Sequence, residues 1–85
     1  MTNIRQLYGF VATSKLRKDI LLILSKGALR QSEIAKKLKQ KQPNVSKALM
    51  DLEKHKLVEC LTPGKKAWKL YELTDLGKEV RKEII

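Results

Sequence analysis

Apolar residues that recur with helical spacing in most segments, and with a period of two in one, predict a mostly α-helical domain carrying a small β-hairpin. The expected order is helix, short strand, helix, turn, helix, hairpin, helix. Three observations carry this. Amphipathic stripes at 3.6-residue spacing mark residues 13–26, 31–38, 42–55 and 74–84. Residues 31–58 run through a short helix, a tight polar turn and a longer helix before turning extended, which is the order of a helix-turn-helix. Finally, Thr62-Pro63-Gly64-Lys65-Lys66 is a turn signal between two alternating runs, 57–62 and 67–73.

The elements follow in order. Residues 3–12 are apolar at Ile4, Leu7, Tyr8, Phe10 and Val11, too hydrophobic for a free tail, although Gly9 argues against a long helix there. They should pack on their own domain or on a second subunit. Ser14, or else Thr13, caps the first full helix, whose stripe is Leu16, Ile20, Ile23 and Leu24, with Gly27 as its stop. Ala28-Leu29-Arg30 is a short extended link. The second helix, 31–38, turns Ile34, Ala35 and Leu38 inward; Glu33 near its start and lysines toward its end suit the helix dipole. Lys39-Gln40-Lys41 is the turn. The third helix, about 42–55, begins with Pro43 in its first turn, where a missing N–H costs nothing. Val45, Leu49 and Leu52 form its buried stripe with Ala48 beside it, which leaves Gln42, Asn44, Ser46, Lys47 and Met50 on the other faces. In the hairpin, alternation places Val58, Cys60, Tyr71 and Leu73 on one face and Leu61, Trp68 and Leu70 on the other. Thr74 caps a last helix with Asp75 in its first turn and Leu76, Val80 and Ile84 as its seam.

Composition narrows the chemistry. Eighty-five residues make one domain, 1–85, with limited apolar area to bury. The formal charge is +10, and between Ile34 and Met50 there are five lysines and no acid. A surface that only had to stay dissolved would mix signs, so an anionic partner is expected, and a basic helix-turn-helix points first to nucleic acid. Cys60 is the single cysteine, which rules out an internal disulfide and suits a reducing cytoplasm. There is no signal-peptide pattern, and Ile20–Leu24 is far short of a membrane span, so no membrane role is expected. One His and one Cys cannot build a structural zinc site. No Gly-rich phosphate loop and no Ser/His/Asp set is present. No metal, cofactor or enzymatic activity is expected, and no small-molecule effector is evident. His55 reads as a surface residue near a helix exit, and Asp51 and Glu53 as solvated partners of lysine.

The order of elements and three local stretches resemble small prokaryotic winged-helix regulators of the MarR and ArsR type. Residues 31–38 are similar to the "SEIAKKL" second helix of that family, 42–58 (QPNVSKALMDLEKHKLV) to its recognition helix and exit, and 71–80 (YELTDLGKEV) to its "Y-x-LT-x-x-G" passage from wing strand to final helix. The opening FVATSKLRKDILLIL resembles first helices of archaeal members. The family usually has Gly, an aliphatic residue and Ser or Thr at the turn, whereas this chain has Lys39-Gln40-Lys41. Lys41 cannot accept the capping hydrogen bond, a loss of about 1 kcal/mol. Lys56 stands where Gly normally leaves the recognition helix; if left-handed, it carries a penalty of roughly 1 kcal/mol. The Cys-x-Cys pair of metal-sensing ArsR-type members is missing.

The resemblance implies a cytoplasmic, nucleoid-associated transcriptional regulator that binds double-stranded DNA as a homodimer. The recognition helix, about 42–55, would enter the major groove, and the wing, about 62–67, would follow the backbone or minor groove. Gln42 and Asn44 suit the N6/N7 edge of adenine, Ser46 a base or phosphate, Lys47 guanine or the backbone, and Pro43 a thymine methyl. Arg30, Lys36, Lys37, Lys39, Lys41, Lys65 and Lys66 would meet phosphates. Trp68, with Leu61 and Leu70, is expected to pack against the N-terminal arm or a partner chain. Ile4, Leu7, Phe10, Leu76, Val80 and Ile84 would form the dimer interface. Two other functions fit a basic winged helix: a non-specific architectural DNA protein, and a module that binds protein or RNA.

Overall fold

The computed structural model describes residues 4–64 and 69–84. Lys65, Lys66 and Trp68 lie outside these residues, as does half of the expected 62–67 wing. The elements are α1 (Ile4–Ala12), α2 (Lys15–Leu24), β1 (Leu29–Arg30), α3 (Gln31–Leu38), α4 (Gln42–Lys54), β2 (Val58–Cys60), β3 (Leu70–Leu73) and α5 (Asp75–Ile84). The three strands form an antiparallel sheet in the order β1-β3-β2, with Leu29 opposite Tyr71, and Val58, Glu59 and Cys60 opposite Leu73, Glu72 and Tyr71. This is the winged-helix order read from the sequence, with the extended link at Leu29–Arg30 now seen as a strand edge paired to the wing.

One core holds the elements together. Ile20, Leu21 and Leu24 of α2 sit at its centre, against Val45, Ala48, Leu49 and Leu52 of α4, Ile34 and Ala35 of α3, and Tyr71 and Leu73 of β3. The α4 stripe is the one its 3.6-residue spacing predicts. The sheet alternation also holds: Val58, Tyr71 and Leu73 are buried, and Cys60 on the same face is half-buried. Ser14 caps α2, its hydroxyl accepting the Arg17 N–H at 3.3 Å.

The N-terminal segment departs from expectation, since Ile4–Ala12 is helical through Gly9. Leu7 and Val11 are one helical turn apart and both fully buried. Burying two such side chains is worth about 1.5–3 kcal/mol each, which outweighs the roughly 1 kcal/mol that glycine costs a helix. The same burial corrects the expected dimer surface. Leu7 and Val80 are enclosed by this chain's own core, which leaves them no face for a second copy. Phe10, Leu76 and Ile84 are half-buried against that core, while Ile4 is exposed.

Two backbone turns set the geometry around α4. Lys39 has φ 56° and Lys56 has φ 64°, both in the left-handed region. After α3, the Gln40 N–H reaches the Ala35 carbonyl and the Lys39 N–H the Lys36 carbonyl. After α4, the Leu57 N–H reaches the Leu52 carbonyl and the Lys56 N–H the Glu53 carbonyl. Both are Schellman closures, which ordinarily recruit glycine at the left-handed position. The second turn is tied to α5. The Thr74 hydroxyl donates to the Lys56 carbonyl at 2.6 Å and accepts the Gly77 N–H at 3.0 Å, while the Thr74 N–H donates to the Leu57 carbonyl at 3.1 Å. A Cβ on Gly77 would lie 2.0 Å from the Leu57 oxygen, so only glycine lets α5 approach. The "LT-x-x-G" stretch is therefore a joint between the end of α4 and the start of α5.

Candidate nucleic-acid interface

The first half of α4 presents an open polar face. Gln42, Pro43, Asn44 and Lys47 are exposed, and Ser46 is half-buried. Lys41 stands at the N-cap without a side-chain cap bond, as its chemistry requires, and no acid occupies the first turn. The positive end of the α4 dipole is thus left uncompensated by side chains. Lys36, Lys37, Lys39 and Lys41 are all exposed on the last turn of α3 and the link into α4. Left-handed Lys39 turns the chain so that the two helices share this cationic surface. The arrangement can meet a polyanion with lysines while offering amides and a hydroxyl to an edge that both donates and accepts.

Arg30 is exposed at the β1–α3 junction, where its N–H donates to the Glu33 carboxylate at 3.0 Å. That bond closes the N-terminus of α3 through Glu33. Among the described residues, no group of three His, Cys, Asp or Glu could hold a metal ion, and no helix is long and apolar enough to cross a membrane.

What holds α4 in place was less visible in the sequence. Asp51 is not a solvated partner of lysine: its carboxylate pairs with Arg17 of α2 at 3.4 Å. The Arg17 guanidinium also donates to the Phe10 carbonyl at 3.0 Å and lies 4.0 Å over the Phe10 ring centre. His55 is likewise not a plain surface residue. It is half-buried and stacks on Phe10, with ring centres 4.0 Å apart and planes inclined 24°. Two planar groups at that distance from one ring centre cannot share a face, so Phe10 is held between Arg17 and His55. The His55 Nδ1–H donates to the Asp51 carbonyl at 2.9 Å. This cluster joins α1, α2 and the final turn of α4, and its Arg17–Asp51 pair lines one open pocket with Asn44 and Lys47, so it steadies the helix from beside the exposed amide face. A signal for it was available: only four of the 19 basic residues are arginine, the residue suited to stacking and forked hydrogen bonds.

Tyr71, under the wing, is buried, and that burial pushes its phenol pKa up, with smaller contributions from neighbouring Cys60 and Glu53. It is a core residue.

The chain is similar to several regulators. It is 35% identical over 74 residues to the transcriptional regulator AdcR of Streptococcus pneumoniae serotype 2, covering 86% of this chain and 51% of that protein. A crystal structure of the adhesin competence repressor AdcR from Streptococcus pyogenes superposes with a TM-score of 0.75 at 29% identity, over 84% of this chain and 54% of the other. The fold also matches a MepR variant from S. aureus bound to an oligodeoxyribonucleotide, with a TM-score of 0.76 at 24% identity, over 95% of this chain and 64% of that one. The chain thus spans about half the length of the AdcR proteins it matches. A model for the N-terminal domain of the methanogenesis regulatory protein FilR1 matches residues 4–84, and on that near-complete match this winged-helix chain belongs to that family of regulators.

Proposed function

We propose that this chain is a sequence-specific duplex-DNA-binding domain of a transcriptional regulator, acting by binding rather than catalysis. One domain, 1–85, places α4 in the major groove and the 62–67 wing along the backbone or minor groove. Gln42, Pro43, Asn44, Ser46 and Lys47 meet base edges. Arg30, Lys36, Lys37, Lys39, Lys41, Lys65 and Lys66 meet phosphates. The single observation that carries this reading is the exposed amide-bearing face at the start of α4, bordered by an acid-free run of lysines. The family and the AdcR likeness support a site-specific regulator over an architectural protein.

The domain works in the cytoplasm, at the nucleoid, as a homodimer. Its interface is drawn from Ile4, Phe10, Leu76 and Ile84, which keep accessible surface after the core is formed. A two-fold pair would place two α4 helices about 34 Å apart, one turn of DNA. Selection of bound duplexes from a random pool, followed by competition with bulk DNA, tests the reading. Enrichment of a two-fold site that survives a large excess of competitor is expected. Equal retention of every duplex would refute site specificity, and no retention at low salt would refute DNA binding itself.

A further inference from the structure

We propose that Met50 is a specificity residue of α4 that reads the 5-methyl group of a thymine in the major groove; this rests on the DNA-binding reading above. The α4 helix advances about 100° per residue. Its buried stripe is Val45, Ala48, Leu49 and Leu52, and the direction opposite that stripe is shared by Pro43, Lys47, Met50 and Lys54. Met50 is therefore at the middle of the outward face rather than at its margin. It is 64% exposed, against 38–42% for Ile4, Tyr8 and Leu61, the other large exposed hydrophobic residues among those described. Ile4 and Tyr8 lie on α1 and Leu61 on the wing, so Met50 is alone on this helix face.

Scattered apolar residues are ordinary on protein surfaces. This one has a particular setting. Lys47 and Lys54 are exposed one turn to either side of it, and its neighbour Asp51 is drawn away to Arg17. Two cations that suit a phosphate backbone flank an uncharged, flexible side chain. In the major groove the thymine methyl is the one apolar group on a base edge, and it is recognised by apolar contact. Methionine, unbranched and polarisable, adapts to such a contact. Met50 lies eight residues past Gln42, about 12 Å along the axis at 1.5 Å per residue. It would thus read bases beyond those within reach of Gln42 and Asn44 and extend the recognised site. Pro43, on the same face two turns earlier, supplies the other apolar contact and is the internal control.

The test uses the full chain and its selected duplex. Each thymine is replaced in turn by deoxyuridine, which removes only the methyl group, and affinity is read by fluorescence anisotropy for the unchanged protein, Met50→Ala and Pro43→Ala. Replacement of one thymine per half-site, distinct from any that Pro43 touches, should weaken the unchanged protein about fourfold, the worth of one buried methyl group. Met50→Ala should lose a similar factor on the thymine duplex and nothing further on the uracil duplex, while Pro43→Ala keeps the uracil effect at that position. Independent losses for Met50→Ala and uracil would overturn the proposal, as would the absence of any methyl-sensitive position or coupling that follows Pro43 instead. Either outcome leaves site-specific binding intact; failure to select any duplex removes both readings together.

Discussion

Lys39 and Lys56 have the same backbone conformation and different surroundings. Each is a side-chain-bearing residue at a left-handed helix exit, at a cost near 1 kcal/mol relative to glycine. Lys56→Gly should raise stability by about 1 kcal/mol, or roughly 4–8 °C in Tm for a domain of this size, with DNA affinity unchanged. Lys39→Gly should stabilise similarly and weaken DNA binding, because Lys39 lies in the cationic surface beside α4. Paired thermal melts and anisotropy titrations check both. Gly77 is the opposite case. An added Cβ would meet the Leu57 carbonyl oxygen at 2.0 Å, backbone that cannot swing aside. Gly77→Ala should cost about 3 kcal/mol, measurable by urea unfolding. Tyr71 sets an alkaline limit. Its raised pKa means that the folded chain keeps a proton the unfolded chain releases near pH 10. Stability from this group is therefore whole below pH 10 and falls as pH rises toward the folded pKa. Tyr71→Phe should flatten that alkaline decline in unfolding free energy.

At the scale of elements, α1 shows where local propensity yields to packing. Gly9 lies within a helix and an added Cβ there would touch nothing. Gly9→Ala should stabilise the protein by about 1 kcal/mol, seen as a higher urea midpoint with an unchanged slope. The other helices were legible in the sequence for a physical reason: each carries its own stripe, and Ser14 and Thr74 mark starts that their hydroxyls do cap. The exposed character of Gln42, Asn44 and Lys47 followed from the same periodicity. Three things were not legible. The short strand was expected but its partner was not: β1 is two residues long and is held by pairing with β3. The need for glycine at position 77 comes from a tertiary approach that spacing does not encode. The Arg17–Phe10–His55 stack joins α1, α2 and the exit of α4; the scarcity of arginine marks Arg17 as unusual, but no local pattern announces which residues it will meet.

For the whole molecule, a charge of +10 makes ionic strength the main external control on the proposed activity. Each lysine at a phosphate contributes roughly one unit to the slope of log affinity against log salt. Lys36→Ala or Lys37→Ala should therefore lower affinity on all duplexes alike and reduce that slope by about 1, checked by titration at several salt concentrations. Gln42→Ala should instead act at particular base pairs and leave the slope unchanged. The joint made by Thr74 has a consequence at this scale. One threonine ties the exit of α4 and the entry of α5 with bonds to three separate backbone groups. The end of α4 and the start of α5 thus share a single side chain as their fastening, so Thr74→Val should loosen both helix ends at once rather than either alone.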